Sequence, residues 1–399
     1  QYQRGIADYP GNIYNTQMFY KLGRAYVLSK NYAAAQDTFR EFIKNYPQNS
    51  QVQDAYYWLG ETYFQRGKYR EAIAAYEEII TRFPTYELLD YAYYSSAWCY
   101  LNTQQYDRAL TRFQHVLSAF PQSELLPSVR MNIARTRFLA GQYAEASQAY
   151  AELLAAGTPE QAQEAAFWLA ESFFYLKDYA QAITYYQRFL TNPSPKDYAD
   201  NALYGLAWSL TSSGRTSEAI QQFQALLAQY PNSDLAPSVL SQTAALLLQE
   251  KQTADGIRLL EEFLRRFPNA EQRDDMRFRL SEAHYAQAAY DKAIAQLQTL
   301  LSQPNSAYRA SALFLLGDCR YAQGQYQDAA ASYEQAAAQA QADLSTADAA
   351  RRDDALRLAQ DSRFRAGLCA IHLKDYAGAI AALTPLLRDN PPVAYLDQV

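Results

Sequence analysis

A 37-residue repeat is the feature of this sequence that most restricts its fold. An aromatic residue followed by proline occurs at Tyr9-Pro10, Tyr46-Pro47, Phe83-Pro84 and Phe120-Pro121, so that the four prolines lie 37 residues apart. A constant period of this length is typical of proteins that stack copies of one small motif, because each copy contacts mainly its neighbours. The 399 residues therefore predict a repeat array rather than two or three unrelated globular domains.

Two further positions repeat with this period, and both hold small residues. The first is occupied by Gly23, Gly60, Ala97, Ala134, Ala170, Ala207, Ala244, Ser281, Gly317 and Gly367. The second lies twelve residues later, at Ala35, Ala72, Ala109, Ala146, Ala182, Ala219, Gly256, Ala293, Ala329 and Ala379. Two helices that cross closely leave room only for small side chains at the contact. The chain is therefore predicted to contain ten hairpins, each made of a helix A, a short turn and a helix B.

The turn inside each hairpin has signals of its own. Gly67, Gly141, Gly214 and Gly324 stand where the turn is expected, and a left-handed backbone is inexpensive only for glycine. A tyrosine recurs three residues before the second small position, as at Tyr69, and is predicted to fill the turn between the helices. No stretch shows the alternating β-branched pattern of strands, which indicates an all-α fold.

This pattern resembles the tetratricopeptide repeat (TPR) family over the whole chain. The second unit carries the resemblance most fully, with Tyr56, Leu59, Gly60, Tyr63, Ala72, Tyr76 and Pro84 at the family's spacings. The resemblance implies a right-handed superhelical α-solenoid of about ten TPR hairpins that binds other proteins and catalyses no reaction. One solenoid over residues 1–399 is expected, with units near 16–52, 53–89, 90–126, 127–162, 163–199, 200–236, 237–273, 274–309, 310–359 and 360–396.

Three segments depart from the regular unit. Residues 1–12 resemble the end of a helix B and residues 393–399 the start of a helix A, so both ends are expected to cut through units. The ninth unit carries an insertion at 336–359 that lacks proline and glycine and is predicted to lengthen its helices so that they project from the superhelix. Two interpretations of this extension stay open, a secondary docking point and a solvated structural addition.

Two segments are similar to one branch of the family. Residues 55–61 and 120–124 resemble the bacterial envelope proteins of the Tol-Pal coordinator (YbgF-like) and outer-membrane lipoprotein (BamD-like) types. The resemblance implies a periplasmic or outer-membrane-associated bacterial protein whose partners are envelope or membrane-complex subunits. A cytoplasmic location is the alternative.

Charge and residue usage exclude several classes of function. The net charge is −6 with acids and bases interspersed, so nucleic acid is not an expected partner. No run approaches the ~18 apolar residues of a membrane span. Cys99, Cys319 and Cys369 share one repeat position, which predicts a packing position rather than a metal site. No phosphate-binding loop or nucleophile elbow occurs, so we expect no catalytic residues, no cofactor and no metal.

Candidate binding residues lie on helix A. In the TPR family the residue three before the first small position usually faces the inner wall of the superhelix, and here the residue one after it is charged or tryptophan in most units. The two series supply the candidates for a groove that binds other proteins: Tyr20, Tyr57, Glu61, Tyr94, Trp98, Arg135, Phe167, Glu171, Tyr204, Trp208, Phe278, Glu282, Phe314 and Asp318. Either these side chains contact a partner segment, or the rings pack between neighbouring helices A. Tyr94, Trp98 and Trp208 are the stronger binding candidates.

Three functions are consistent with these patterns. The leading hypothesis is a non-catalytic scaffold of a bacterial cell envelope complex that binds partner segments in an aromatic-lined concave groove. A second hypothesis is the substrate-recruiting arm of a larger envelope enzyme. A third is a structural component that associates with copies of itself, which the 35 tyrosines would suit.

Overall fold

The structure is a computed structural model that describes residues 15–193, 198–303, 305–345 and 349–388. These residues form twenty α-helices and no strand. The predicted all-α repeat solenoid is therefore confirmed. The expected partial units at 1–12 and 393–399 lie outside the described residues.

The helices fall into two compact units, residues 1–215 and residues 216–399. The first unit contains α1 (Asn15–Leu28), α2 (Tyr32–Asn45), α3 (Val52–Gln65), α4 (Tyr69–Arg82), α5 (Leu89–Asn102), α6 (Tyr106–Ala119), α7 (Leu126–Leu139), α8 (Tyr143–Ala156), α9 (Pro159–Tyr175), α10 (Tyr179–Leu190) and α11 (Ala199–Ser212). The second contains α12 (Thr216–Gln229), α13 (Ala236–Gln249), α14 (Thr253–Arg266), α15 (Arg273–Ala286), α16 (Tyr290–Leu301), α17 (Arg309–Ala322), α18 (Tyr326–Asp343), α19 (Ala349–His372) and α20 (Tyr376–Arg388).

Odd-numbered helices correspond to the predicted helices A and even-numbered helices to the helices B. Within each unit, every helix packs against the next one along the chain. Several helices A also contact the helix A of the following hairpin, as α1 contacts α3 and α7 contacts α9. The helices A are therefore neighbours in space as well as equivalents in sequence.

An aromatic ring of helix B occupies the space that the first small position of helix A leaves open. A Cβ atom built on Gly60 would lie 2.6 Å from the ring of Tyr76, and one on Gly317 would lie 2.6 Å from the ring of Tyr333. Both rings are completely buried, and burial of one large apolar side chain stabilises a fold by about 1.5–3 kcal/mol. Glycine at these positions is thus a consequence of the ring that packs on it.

Tyrosine hydroxyls in the connections hold successive hairpins together. Tyr86 donates a hydrogen bond to Asp54 at 2.7 Å, and Tyr308 donates one to Asp275 at 2.8 Å. In both cases the aspartate lies in the first turn of a helix A, and the tyrosine lies 32 or 33 residues later, just before the next helix A. These bonds fix the angle at which one hairpin follows another.

The turns inside the hairpins agree with the sequence. Gly67, Gly141, Gly214 and Gly324 have φ between 69° and 76°, as predicted. Tyr69 contacts Phe64 across its turn, with ring centroids 5.6 Å apart, which confirms the predicted turn-filling role. In the other hairpins the left-handed residue is Lys30, Gln104, Lys177, Lys251, Ala288 or Lys374.

The extension in the ninth unit is helical, as predicted. α18 has 18 residues and α19 has 24, whereas most other helices have 14. Ala340 and Ala359 are completely buried and form a cluster with Ala310. The extra turns therefore pack on each other and on α17 rather than projecting from the hairpin.

Substitutions at the turn residues test whether the backbone there is left-handed. A Cβ atom in the left-handed region costs about 1–2 kcal/mol, partly offset by the larger unfolded-state entropy of glycine. Because Ala288 has a φ of 56°, we expect Ala288→Gly to raise the free energy of unfolding by roughly 0.5–1 kcal/mol. Urea denaturation followed by circular dichroism measures the change. Gly324→Ala is the matched control and should lower stability; a loss in both variants would contradict the assignment.

Candidate protein-binding site

Three aromatic candidates of the first series pack against rings of their own hairpins. Tyr57 and Phe167 are buried, with 8% and 4% of their surface exposed. Tyr57 lies 6.3 Å from Tyr76 between ring centroids, and Phe167 stacks on Tyr198 at 4.7 Å. In the second unit Phe314 packs against the ring of Tyr333 in the same way. Packing therefore accounts for these rings.

Other members of the first series keep part of their surface exposed. Tyr20 and Tyr94 are half-buried, and each contacts a phenylalanine of the following helix B. Tyr204 forms an edge contact with Trp208 at 6.1 Å, and both are half-buried. Phe278 stacks on Tyr308 at 5.4 Å.

Three of the four acidic candidates accept hydrogen bonds from buried tyrosines of helix B. Tyr76 donates to Glu61 at 2.6 Å, and Tyr333 donates to Asp318 at 2.6 Å. Tyr186 donates to Glu171 in the same way. The separation is fifteen residues in all three pairs. These carboxylates thus satisfy hydroxyl groups that burial would otherwise leave without a partner.

A pattern in the sequence could have revealed these pairs. These acids occupy the helix A position that follows the first small position. Where the residue fifteen positions later is phenylalanine, this helix A position holds Arg24, Trp98 or Trp208 instead of an acid. Glu282 has leucine at that separation, and its side chain is exposed. In most hairpins, therefore, an acidic residue is present at this position only when helix B carries a tyrosine hydroxyl fifteen residues later.

The fourth hairpin departs from the tyrosine-carboxylate rule. Tyr150 is a completely buried tyrosine of α8, but Arg135 occupies the position where the other hairpins have an acid. The Tyr150 hydroxyl is buried and has no hydrogen-bond partner in the described part of the chain. Its ring stacks on Trp168 of α9, with centroids 6.4 Å apart.

A cavity of about 260 Å³ opens in the first unit, and Tyr150 is one of the residues that line it. Its walls come from α5, α7, α8 and α9, and the lining residues are Tyr94, Trp98, Ser128, Met131, Asn132, Arg135, Tyr150, Gln161, Glu164 and Trp168. Three predicted residues, Tyr94, Trp98 and Arg135, are brought together here. The candidates in the remaining hairpins do not line this cavity.

The cavity combines aromatic side chains with several polar and charged groups. Asn132 donates a hydrogen bond to the Tyr94 hydroxyl at 3.0 Å, which orients that ring. Trp98 lies edge-on to Tyr94, with ring centroids 6.5 Å apart. Trp168, Tyr150 and Asn132 were not among the predicted residues. Asn132 and Trp168 share a repeat position that holds unlike side chains in other hairpins, and Tyr150 lies on helix B, whereas the predicted residues lie on helix A.

Metal and thiol chemistry find no support among the described residues, which contain no group of three potential metal ligands. Cys99, Cys319 and Cys369 are buried free thiols. Burial raises the pKa of Cys99 and Cys319 to about 12 and that of Cys369 to about 11. Across the helices that the structure describes, none is both long and apolar enough to cross a membrane.

Comparison with protein families agrees with this architecture. A tetratricopeptide repeat model matches residues 20–87, 131–198 and 290–343, and a second matches residues 63–127. Together they match more than half of the chain. The chain belongs to the tetratricopeptide repeat family. A model of the YfiO outer membrane lipoprotein family matches residues 196–316 of this TPR protein.

A solved structure of a TPR protein has the same fold. The C-terminal part of a TPR repeat-containing protein from Cytophaga hutchinsonii is 17% identical, with a TM-score of 0.53 over 64% of this chain and 98% of that one. PilW, a type IV pilus biogenesis factor, is 18% identical, with a TM-score of 0.44 over 57% of this chain and 99% of PilW. No curated protein sequence matches significantly.

The tyrosine-carboxylate pairs can be tested by removing one hydroxyl. Tyr186→Phe leaves the Glu171 carboxylate without its donor, which we expect to cost about 1–3 kcal/mol in the free energy of unfolding. Tyr150→Phe is the matched control. Its hydroxyl has no partner to lose, so this substitution should leave the free energy of unfolding unchanged or raise it. Urea denaturation of both variants measures the difference; equal losses would refute a role for the pair.

We also expect the buried Glu171 carboxyl to make the stability of the folded protein depend on pH. Burial raises the pKa of Glu171, although the hydrogen bond from Tyr186 lowers it. Because the folded protein keeps this proton to a higher pH than the unfolded chain, the stabilising contribution is present at low pH and is lost as pH rises through the folded pKa.

Glu171→Gln keeps an acceptor for Tyr186 but cannot ionise. Its melting temperature relative to wild type should therefore increase as the pH is raised from about 4 to 7. Thermal unfolding followed by circular dichroism across this range measures the difference. A pH-independent difference would show that Glu171 titrates normally.

Proposed function

We propose that this TPR protein is a non-catalytic scaffold of a bacterial cell envelope complex, and that it binds a partner segment on the helix A side of its first unit. The observation that carries the proposal is the group of half-exposed Tyr94, Trp98, Arg135 and Trp168 around the cavity. Tyrosine, tryptophan and arginine are the residues that most often dominate the energy of protein interfaces.

The chemistry of this group suits recognition of a protein segment. Indole and phenol rings offer large contact area and lose little conformational entropy on binding. The Arg135 guanidinium forms no hydrogen bond or ion pair in the described residues, so its donors are available to a partner. Trp208 extends the aromatic surface three hairpins along from Trp98 in the same unit.

Family membership supports the remaining parts of the proposal. TPR proteins are interaction scaffolds in general, and the match to the outer membrane lipoprotein family over residues 196–316 favours a bacterial envelope location. We propose periplasmic or outer-membrane association and envelope-complex subunits as partners. The enzyme-arm and self-assembly hypotheses stay predictions, to be tested by the full open reading frame and by light scattering across dilution.

Affinity capture from a native envelope extract tests the binding surface. The doubly substituted Trp98→Leu, Trp208→Leu variant should lose at least about 90% of the specifically captured partner, because truncation of such aromatics costs about 2 kcal/mol or more each. Leucine is chosen since Leu368 occupies the equivalent position in the tenth hairpin. Quantitative mass spectrometry measures the retained partner.

The control variant carries Leu139→Ala and Tyr175→Ala, which remove exposed apolar side chains from the turn ends of α7 and α9. It should retain the partner at the wild-type level. Circular dichroism establishes that both variants are folded. Undiminished capture by the tryptophan variant would place the binding surface elsewhere.

A further inference from the structure

We propose that the cavity of the first unit binds a side-chain carboxamide, supplied by a glutamine or asparagine of the partner segment. This inference rests on the proposed function, because it assumes that a partner segment binds there. The inference follows from the polar groups that the cavity leaves without partners. Each of the other fully buried tyrosines of helix B, Tyr76, Tyr186 and Tyr333, has a carboxylate for its hydroxyl. Tyr150 alone among these four lacks one in the described chain.

Two side chains of opposite charge, Arg135 of α7 and Glu164 of α9, line the cavity together with Tyr150. Burial raises the pKa of Tyr150, the Arg135 guanidinium lowers it, and the Glu164 carboxylate raises it. Both charged side chains are half-buried, and neither forms a hydrogen bond or ion pair within the described residues. The cavity therefore presents unpaired donors and an unpaired acceptor around one buried hydroxyl.

A carboxamide matches this arrangement better than an ion does. Its oxygen accepts from Arg135 and Tyr150, while its NH₂ group donates to Glu164. A ligand carboxylate would be repelled by Glu164, and a ligand ammonium would be repelled by Arg135. A wholly apolar side chain would bury the Tyr150 hydroxyl and leave all three groups unpaired, which is costly in a site of low polarity.

The size of the cavity favours one side chain over a free small molecule. At about 260 Å³ it lies below the roughly 300–1,000 Å³ of pockets that enclose drug-sized ligands. The rings of Trp98 and Trp168 and the thioether of Met131 provide apolar walls for the methylene stem. A residue held on an extended segment would thus insert its amide between the charges and its stem between the rings.

Methionine methyl groups allow the site to be observed directly. The sequence has three methionines, of which Met131 lines the cavity, while Met18 lies on α1 and Met276 is buried in the second unit. The full chain is labelled with ¹³C-methyl methionine and titrated with capped peptides Ac-Gly-Xaa-Gly-NH₂, in which Xaa is Gln, Asn, Glu, Lys or Leu. These peptides share the same backbone amides, so differences among them report the side chain.

We expect the glutamine or asparagine peptide to shift the Met131 signal, leaving the Met18 and Met276 signals unchanged. Tyr150→Phe and Arg135→Leu should each weaken this response by about fivefold or more, since each removes one hydrogen bond to the amide oxygen. Both substitutions use residues that occur at equivalent positions, Phe113 and Leu368. Arg24→Leu, at the same repeat position two hairpins or more from the cavity, is the matched control and should respond like wild type.

Each of the remaining results would overturn either the carboxamide site or the proposed scaffold surface. A stronger Met131 shift with the glutamate or lysine peptide would overturn the carboxamide assignment in favour of an ionic ligand. An equal shift with all peptides would assign the site to backbone amides, and no shift would exclude the site; both overturn the inference. If partner capture still depends on Trp98 and Trp208 in those cases, the proposed function stands without it. If the glutamine peptide binds but partner capture ignores the tryptophans, the carboxamide site stands and the proposed scaffold surface fails.

Discussion

The fold depends on one contact, a large apolar side chain of helix B, in most hairpins an aromatic ring, packed on a glycine or other small residue of helix A. In the second hairpin this is Tyr76 on Gly60, where even a Cβ atom would clash at 2.6 Å. The ring is completely buried in its hairpin, and the small residue lets the two helix backbones approach closely. Because a single hairpin cannot cover both of its faces, the next hairpin must pack on it. Repetition of one contact thus builds each unit.

Tyrosine at the packing position adds a polar requirement to this contact. Its ring fills the same space as phenylalanine, but its hydroxyl is carried into the interior and needs an acceptor. The chain supplies one from the adjacent helix A, as Glu61 does for Tyr76 and Glu171 does for Tyr186. Side chains that look like a charged binding surface in sequence are therefore partly engaged in holding the hairpin together. A charged residue on a repeat is available to a partner only if it has no such internal bond.

The fourth hairpin has the ring without the acceptor, and this exception creates the candidate site. Arg135 replaces the acid, so the hydroxyl of Tyr150 is buried without an acceptor, and Arg135 and Glu164 line a cavity together with this tyrosine. Natural sequences break their own local rules mainly at functional positions. The departure costs stability where it occurs, since a buried hydroxyl without a partner is unfavourable. A ligand that completes the hydrogen bonds would recover that cost on binding.

The sequence by itself determined the all-α class, the number of hairpins and the helix ends at turns such as Gly67 and Gly324, because the 37-residue period, the small residues and the left-handed glycines are local signals. It also singled out Tyr94, Trp98 and Arg135, which do meet at one cavity. Only the tertiary structure decided that Tyr57 and Phe167 are buried, that Glu61 and Glu171 are hydrogen-bonded to tyrosines, and that Trp168 and Tyr150 belong to the cavity. These properties depend on contacts between residues on different helices. Equivalent positions in a repeat share a backbone environment, but the side chains that surround each of them differ from hairpin to hairpin.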